Sequence, residues 1–218
     1  LLPVEATNLQ FLYSLKNIIV LFIAIGIVIL IRIRFLVIHS PCMTSQTAHP
    51  TIKAGDHAAY MEYALEQAHK APPKPTNFRV GAVLLDADTN TIIATGYSLE
   101  LPGNTHAEQT CFMKVAEHHN LPEEKIGEVL PRNTVLYTTM EPCNKRLSGN
   151  LTCVERILRL GNAIKVVYVG IKEPEKFVGQ NLGRARLENA GIKVEHVEVE
   201  ELEKRILETA TAGHTKVD

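Results

Sequence analysis

Val135-Leu136-Tyr137-Thr138-Thr139-Met140-Glu141-Pro142-Cys143 reads as a strand that runs straight into a cysteine loop. Its β-branched and aromatic residues suit a pleated, buried surface. Pro142 cannot donate to a ladder, so the strand is expected to span 135–140 and stop there. After nine intervening residues, Cys153 precedes a helical pattern over 154–160 that halts at Gly161. Upstream, His106-Ala107-Glu108 opens another helical pattern over 106–119, with Ala107, Cys111 and Val115 on one face. One imidazole and two thiols are therefore offered close to the starts of two helices and the end of a strand.

The rest of the chain extends this alternation. Asp56 is a good N-cap for a helix over 57–70, where Ala58, Met61, Leu65 and Ala68 recur at helical spacing. Pro72, Pro73 and Pro75 end it. β-rich runs over 79–85 and 91–97 flank Asp86-Ala87-Asp88-Thr89-Asn90, a hairpin connection. An acidic, proline-bounded excursion fills 120–132. Strands are expected over 165–170 and 192–197, and helices over 182–190 and 201–208. The pattern implies an α/β fold: a three-layer α/β/α sandwich around a mixed five-stranded sheet, with an antiparallel hairpin first and largely parallel strands after it. The domain is expected over 56–210, after a flexible polar lead-in over 43–55 and before a tail over 211–218.

Residues 1–42 differ from everything that follows. Ile18 to Ile31 is an unbroken apolar run, and counting from Phe11 gives roughly the 20 residues a spanning helix needs. The chain starts at Leu1, and Met43 opens a polar stretch that would suit an enzyme's own N-terminus. We therefore read 1–42 as upstream sequence, with a membrane anchor over residues 11–38 as the alternative. Arg32 and Arg34 follow the run and only Lys16 precedes it, so an anchor would leave the catalytic part in the cytoplasm. The 218 residues carry a net charge of −1, which argues against a nucleic-acid polyanion as partner. The spacing of Cys42, Cys111, Cys143 and Cys153 does not suit a secreted disulfide framework.

His106, Cys143 and Cys153 make a donor set for Zn2+ that leaves a fourth position for water, as catalytic rather than structural zinc sites do. Helix N-termini favour thiolate over thiol, which prepares cysteines as ligands. Glu108 is the candidate catalytic acid–base group. Residues two apart in a regular helix point about 200° from each other. His106 must therefore sit at the very start of its helix for both side chains to face one pocket. Cys111 is expected in the core, and His118 and His119 at a solvated helix end.

His106-Ala107-Glu108 and Pro142-Cys143 resemble the cytidine deaminase superfamily. The nine-residue gap before Cys153 is longer than the two residues of that signature and is similar to the riboflavin-pathway deaminases. Asn77-Phe78-Arg79-Val80-Gly81-Ala82-Val83, Val169-Gly170-Ile171-Lys172-Glu173-Pro174 and Ala190-Gly191-Ile192 agree with that likeness. Leu147-Ser148-Gly149-Asn150 and Lys172 to Phe177 are similar to the fungal branch. The resemblance covers about 57–197 and implies a cytidine deaminase-like fold. It also implies a lone deaminase, a homodimer, and a phosphorylated pyrimidine substrate, 2,5-diamino-6-ribitylamino-4(3H)-pyrimidinone 5′-phosphate. By the same resemblance Asn77 should meet the ribityl hydroxyls or the ring. Lys145 and Arg146, in the zinc loop, are the candidates for the phosphate. A deaminase of free cytidine or another nucleobase compound is the alternative. A nucleic-acid deaminase and a non-catalytic zinc-stabilised scaffold rank below it.

Overall fold

The computed structural model describes residues 49–173 and 182–214. The apolar segment over 1–42, with its two readings, lies outside the described residues. Among those described, no helix is long and apolar enough to cross a membrane.

Among the described residues, five α-helices and five strands build one covered sheet. In chain order they are α1 (His57–Ala68), β1 (Gly81–Asp86), β2 (Thr91–Tyr97), α2 (Ala107–His119) and β3 (Thr134–Met140). Then come α3 (Cys153–Arg159), β4 (Ile164–Ile171), α4 (Gly183–Asn189), β5 (Lys193–His196) and α5 (Glu200–Thr211). The sheet order is β2-β1-β3-β4-β5. β1 pairs antiparallel with β2 and β3, while β3–β4 and β4–β5 are parallel. The short connection at 87–90 permits only an antiparallel pair, whereas α3 and α4 are crossovers long enough to return the chain for parallel pairing.

Strand alternation divides the core into two layers. Ala82, Leu84, Leu136 and Val167 face Cys111, Phe112, Val115, Val154, Ile157 and Leu187, the inner faces of α2, α3 and α4. Val83, Leu85, Val135 and Tyr137 face Tyr60, Met61, Leu65, Leu202 and Ile206 of α1 and α5. The result is the mixed, three-layer sandwich that the sequence pattern implied. β1 and β3 are buried along their whole length because helices cover both faces. Each fully buried Leu or Ile here contributes about 1.5–3 kcal/mol relative to exposure.

The predicted caps and ends hold with small shifts. The Asp56 side chain accepts from the Ala59 N–H at 3.0 Å, as an N-cap should. The excursion at 120–132 contains a 3-10 helix, Glu123–Glu128, whose Ile126 is fully buried on the α2 side. One apolar residue without periodic neighbours gave no pattern to read. The last helix runs to Thr211 rather than ending near 208, because Thr209 and Ala210 are still buried. Ile52, within the stretch expected as a lead-in, is buried, and its carbonyl accepts from the Asn90 amide at 2.8 Å.

Candidate metal and catalytic site

The C-terminal end of β3 and the N-terminal ends of α2 and α3 converge at one side of the sheet. Open α/β sheets place their ligand crevices beyond the carboxyl ends of parallel strands.

His106 is the N-cap of α2 and has extended backbone angles, φ −90° and ψ 162°. It is therefore outside the helical screw, and its ring and the Glu108 carboxyl both line one cleft. The preceding loop holds it there. Thr105 Oγ1 donates to the Leu101 carbonyl at 2.9 Å, and the Leu99 N–H donates to the Thr105 carbonyl at 2.8 Å. Below, β2 approaches the helix so closely that a Cβ on Gly96 would lie 2.3 Å from the Ala107 carbonyl oxygen. Gly96→Ala is expected to push the first turn of α2 away from the sheet. Metal titration should show weakened zinc affinity together with a lowered Tm; unchanged affinity would refute that linkage.

Cys143 follows β3, and Cys153 is the first residue of α3. The exposed N–H groups of α3 turn toward Cys143. Cys153 N–H donates to Cys143 Sγ at 3.4 Å, and Val154 N–H to the Cys143 carbonyl at 3.2 Å. Thr152 caps the helix by accepting from Glu155 N–H at 3.1 Å. The nine intervening residues thus loop out and return Cys153 beside Cys143.

His106 Nδ1 lies 3.5 Å from Cys143 Sγ and 3.4 Å from Cys153 Sγ. Ideal zinc bonds of about 2.0 Å to nitrogen and about 2.3 Å to sulfur, at a tetrahedral angle, separate the two donors by roughly 3.5 Å. The three donor atoms all fall within 4.8 Å of one another. They fit one Zn2+ ion, and two of the three donor residues, His106 and Cys143, line the cleft. Both cysteines are buried and His106 is half-buried. The hydrogen bond from the Cys153 side chain lowers the pKa of the Cys143 thiol, with the His106 imidazole adding to it and burial opposing it. The same contact, together with burial, raises that of Cys153. A metal that takes both sulfurs as thiolates displaces the shared proton.

Glu108 is 3% exposed. Burial raises its carboxyl pKa above the ordinary range, while the His106 imidazole pulls the other way. Its Oε2 lies 3.3 Å from Cys153 Sγ. The Thr138 hydroxyl sits 3.4 Å from Glu108 Oε1 and 3.0 Å from the Met140 carbonyl, sharing one proton between them.

The cleft has a volume of about 290 Å³, and Asn77, Lys145 and Arg146 all border it. Asn77 Nδ2 donates to Asn104 Oδ1 at 2.8 Å. Lys145 is exposed. Arg146 directs its guanidinium to protein acceptors: Gln109 Oε1 at 3.2 Å, the Leu151 carbonyl at 3.3 Å and the Asn104 carbonyl at 2.5 Å. It thereby ties the zinc loop to the turn that presents His106. Cys111 is fully buried in the α2 layer, and His118 and His119 are exposed roughly 18 Å away along α2.

Phe78, Asn104 and Glu173 are among the cleft residues that the sequence did not single out for the site. Phe78 and Asn104 form part of the wall, and Glu173 faces the cleft with a carboxyl that burial, aided by Cys143, Glu108 and Glu141, raises to about 8. The Pro102-Gly103-Asn104 turn was a visible signal, since Gly103 and Asn104 take positive φ. Nothing local marks the direction in which Glu173 points.

The sequence matches the cytidine and deoxycytidylate deaminase zinc-binding region over residues 54–171. It is 36% identical over 163 residues to the diaminohydroxyphosphoribosylamino-pyrimidine deaminase of Schizosaccharomyces pombe, a match covering 75% of this chain and 37% of that protein. The chain thus spans little more than a third of that relative's length. Among solved structures it resembles the Rib2 deaminase of Aspergillus oryzae, a C-terminal deletion mutant at pH 4.6. Identity is 47% and the TM-score 0.68, covering 73% of this chain and 93% of that one. The same deaminase in complex with DARIPP gives 46% identity and a TM-score of 0.66, covering 72% and 91%.

Proposed function

The chain belongs to the cytidine and deoxycytidylate deaminase zinc-binding family, and on that premise we propose that it deaminates 2,5-diamino-6-ribitylamino-4(3H)-pyrimidinone 5′-phosphate in riboflavin biosynthesis. One observation carries the hydrolytic part. Glu108 is a buried carboxyl 3.3 Å from a ligand sulfur, yet it stands outside the three-donor cluster. A purely structural zinc site has no use for such a group. The relation to the Aspergillus oryzae deaminase solved with DARIPP supports the choice of substrate.

A Zn2+ ion held by His106, Cys143 and Cys153 would supply the Lewis acidity that makes water nucleophilic near neutral pH. Glu108 accepts one proton from the attacking water and delivers it to the ring nitrogen. It then carries the second water proton to the departing amine. The water oxygen becomes the ring carbonyl, and ammonia leaves. The Thr138 hydroxyl lies beside Oε1, and Oε2 faces Cys153 Sγ. Burial helps Glu108 retain a proton between these transfers.

Asn77, held by Asn104, meets the ribityl hydroxyls or the ring in this reading. Lys145 supplies the main charge for the phosphate, and Arg146 contributes chiefly by fixing the loop on which Lys145 stands. Lys145→Ala is expected to raise KM for the phosphorylated substrate about tenfold. KM for its dephosphorylated form should stay unchanged, and an equal rise for both would remove Lys145 from phosphate binding. The active species in this reading is a cytoplasmic homodimer; a monomer in sedimentation would remove that part. The deciding assay offers the zinc-loaded chain the ribityl phosphate and cytidine side by side and follows ammonia release. Faster turnover of cytidine would overturn the substrate assignment and leave the deaminase chemistry standing.

A further inference from the structure

The wall of the cleft that carries Asn77 and Phe78 is a tight turn. Lys74 and Asn77 form an isolated antiparallel bridge, with Pro75 and Thr76 between them. Thr76, Asn77 and Phe78 face the cleft. Phe78 packs against the core layer under α1 and α5, and the position of Thr76 and Asn77 depends on what backs the turn.

Asn104 holds Asn77 from one side and the Arg79 side chain donates to the Ala71 and His69 carbonyls at 2.7 and 2.6 Å; the rest of the backing comes from the end of α5. The Arg79 N–H donates to the Ala210 carbonyl at 3.1 Å. Gly213 passes so near that a Cβ there would lie 2.2 Å from Lys74 N and 2.7 Å from Lys74 O. His214 then reaches the turn itself. Its Nε2 is 3.1 Å from the Asn77 carbonyl, and a carbonyl only accepts, so Nε2 carries the proton. Its ring packs against Phe78 with centroids 4.8 Å apart. The segment is itself held, because His214 N–H donates to the Thr211 carbonyl at 2.9 Å and Thr209 Oγ1 lies 3.0 Å from His69 Nε2.

We propose that His214 is a positioning residue for substrate binding: the segment 209–214 is a strap that fixes Asn77 and Phe78 against the cleft. This rests on the reading of the cleft as the substrate site. His214 touches neither the metal ligands nor Glu108 in the contacts above. It should therefore govern affinity and leave the proton transfers alone.

His214→Ala is expected to raise KM for the ribityl phosphate about fivefold, the effect of losing one hydrogen bond that orders a binding group. kcat should stay within about twofold and zinc stoichiometry should not change. Amide hydrogen exchange of 74–79 should accelerate, with α2 and α3 unaffected. His214→Gln should restore both KM and exchange, since its amide can donate to the same carbonyl. Gly213→Ala, which must push the strap off Lys74, should act in the same direction and serves if His214→Ala fails to fold. Unchanged KM, unchanged exchange at 74–79, a fall in kcat alone, or a Gln variant as weak as the Ala variant would each overturn the proposal. If the unaltered chain turns over neither test compound, the substrate assignment fails by itself. The exchange comparison then still decides whether His214 pins the turn.

Discussion

Glu108→Gln is expected to abolish ammonia release, by about a thousandfold or more, while zinc content stays stoichiometric. General acid–base groups contribute about 10²–10⁴-fold when they move one proton. Here one carboxyl is asked to move two, so the upper part of that range applies. The amide matches the carboxyl in size and can neither take nor return a proton. Zinc should remain, because His106, Cys143 and Cys153 supply the donor set without Glu108. The Tm should not fall, since an ionised carboxylate at 3% exposure carries a desolvation cost that a neutral amide largely avoids. Metal analysis and calorimetry beside the activity assay separate the possibilities. Retained turnover would take Glu108 out of the mechanism. Lost zinc would make it part of the metal's support.

The site was legible in the sequence to the extent that its chemistry is local. His106 and Glu108 are two residues apart, and the demand that one lie outside the helix was met by extended angles at position 106. Cys143 was marked by the strand that delivers it, and Cys153 by the helix it begins. The two core layers followed from strand and helix periods, which repeat often enough to read. What the sequence did not show depends on contacts between distant segments. Arg146 is a cation in a polar loop until the fold sets Asn104 and Gln109 beside its guanidinium. Ile126 is one apolar residue in an acidic stretch until α2 covers it. His214 meets Asn77 across 137 positions, and no period or motif links residues so far apart. A last helix was expected over 201–208. That expectation could not show that the helix ends in a strap against 74–79.

Removing a metal ligand should have the largest effect on stability. Cys153→Ser is expected to lose zinc, to lose turnover, and to melt where the chelated unaltered chain melts. The reasoning is linkage: an ion that binds only the folded state stabilises it by about 4 kcal/mol when present at a thousandfold over its Kd. For a chain of this size that corresponds to a Tm shift of about 10 °C. Cys153 is the ligand whose loss reaches furthest. It is fully buried, begins α3, and sits 3.4 Å from His106 Nδ1 and 3.3 Å from Glu108 Oε2. Its backbone N–H still donates to Cys143 Sγ in the serine variant, so α3 keeps its start and the change falls on the metal. The decisive comparison is chelation. EDTA should lower the Tm of the unaltered chain and leave that of Cys153→Ser where it was. A variant that still responds to EDTA retains a bound ion, and the three-donor site drawn from His106, Cys143 and Cys153 would then be wrong.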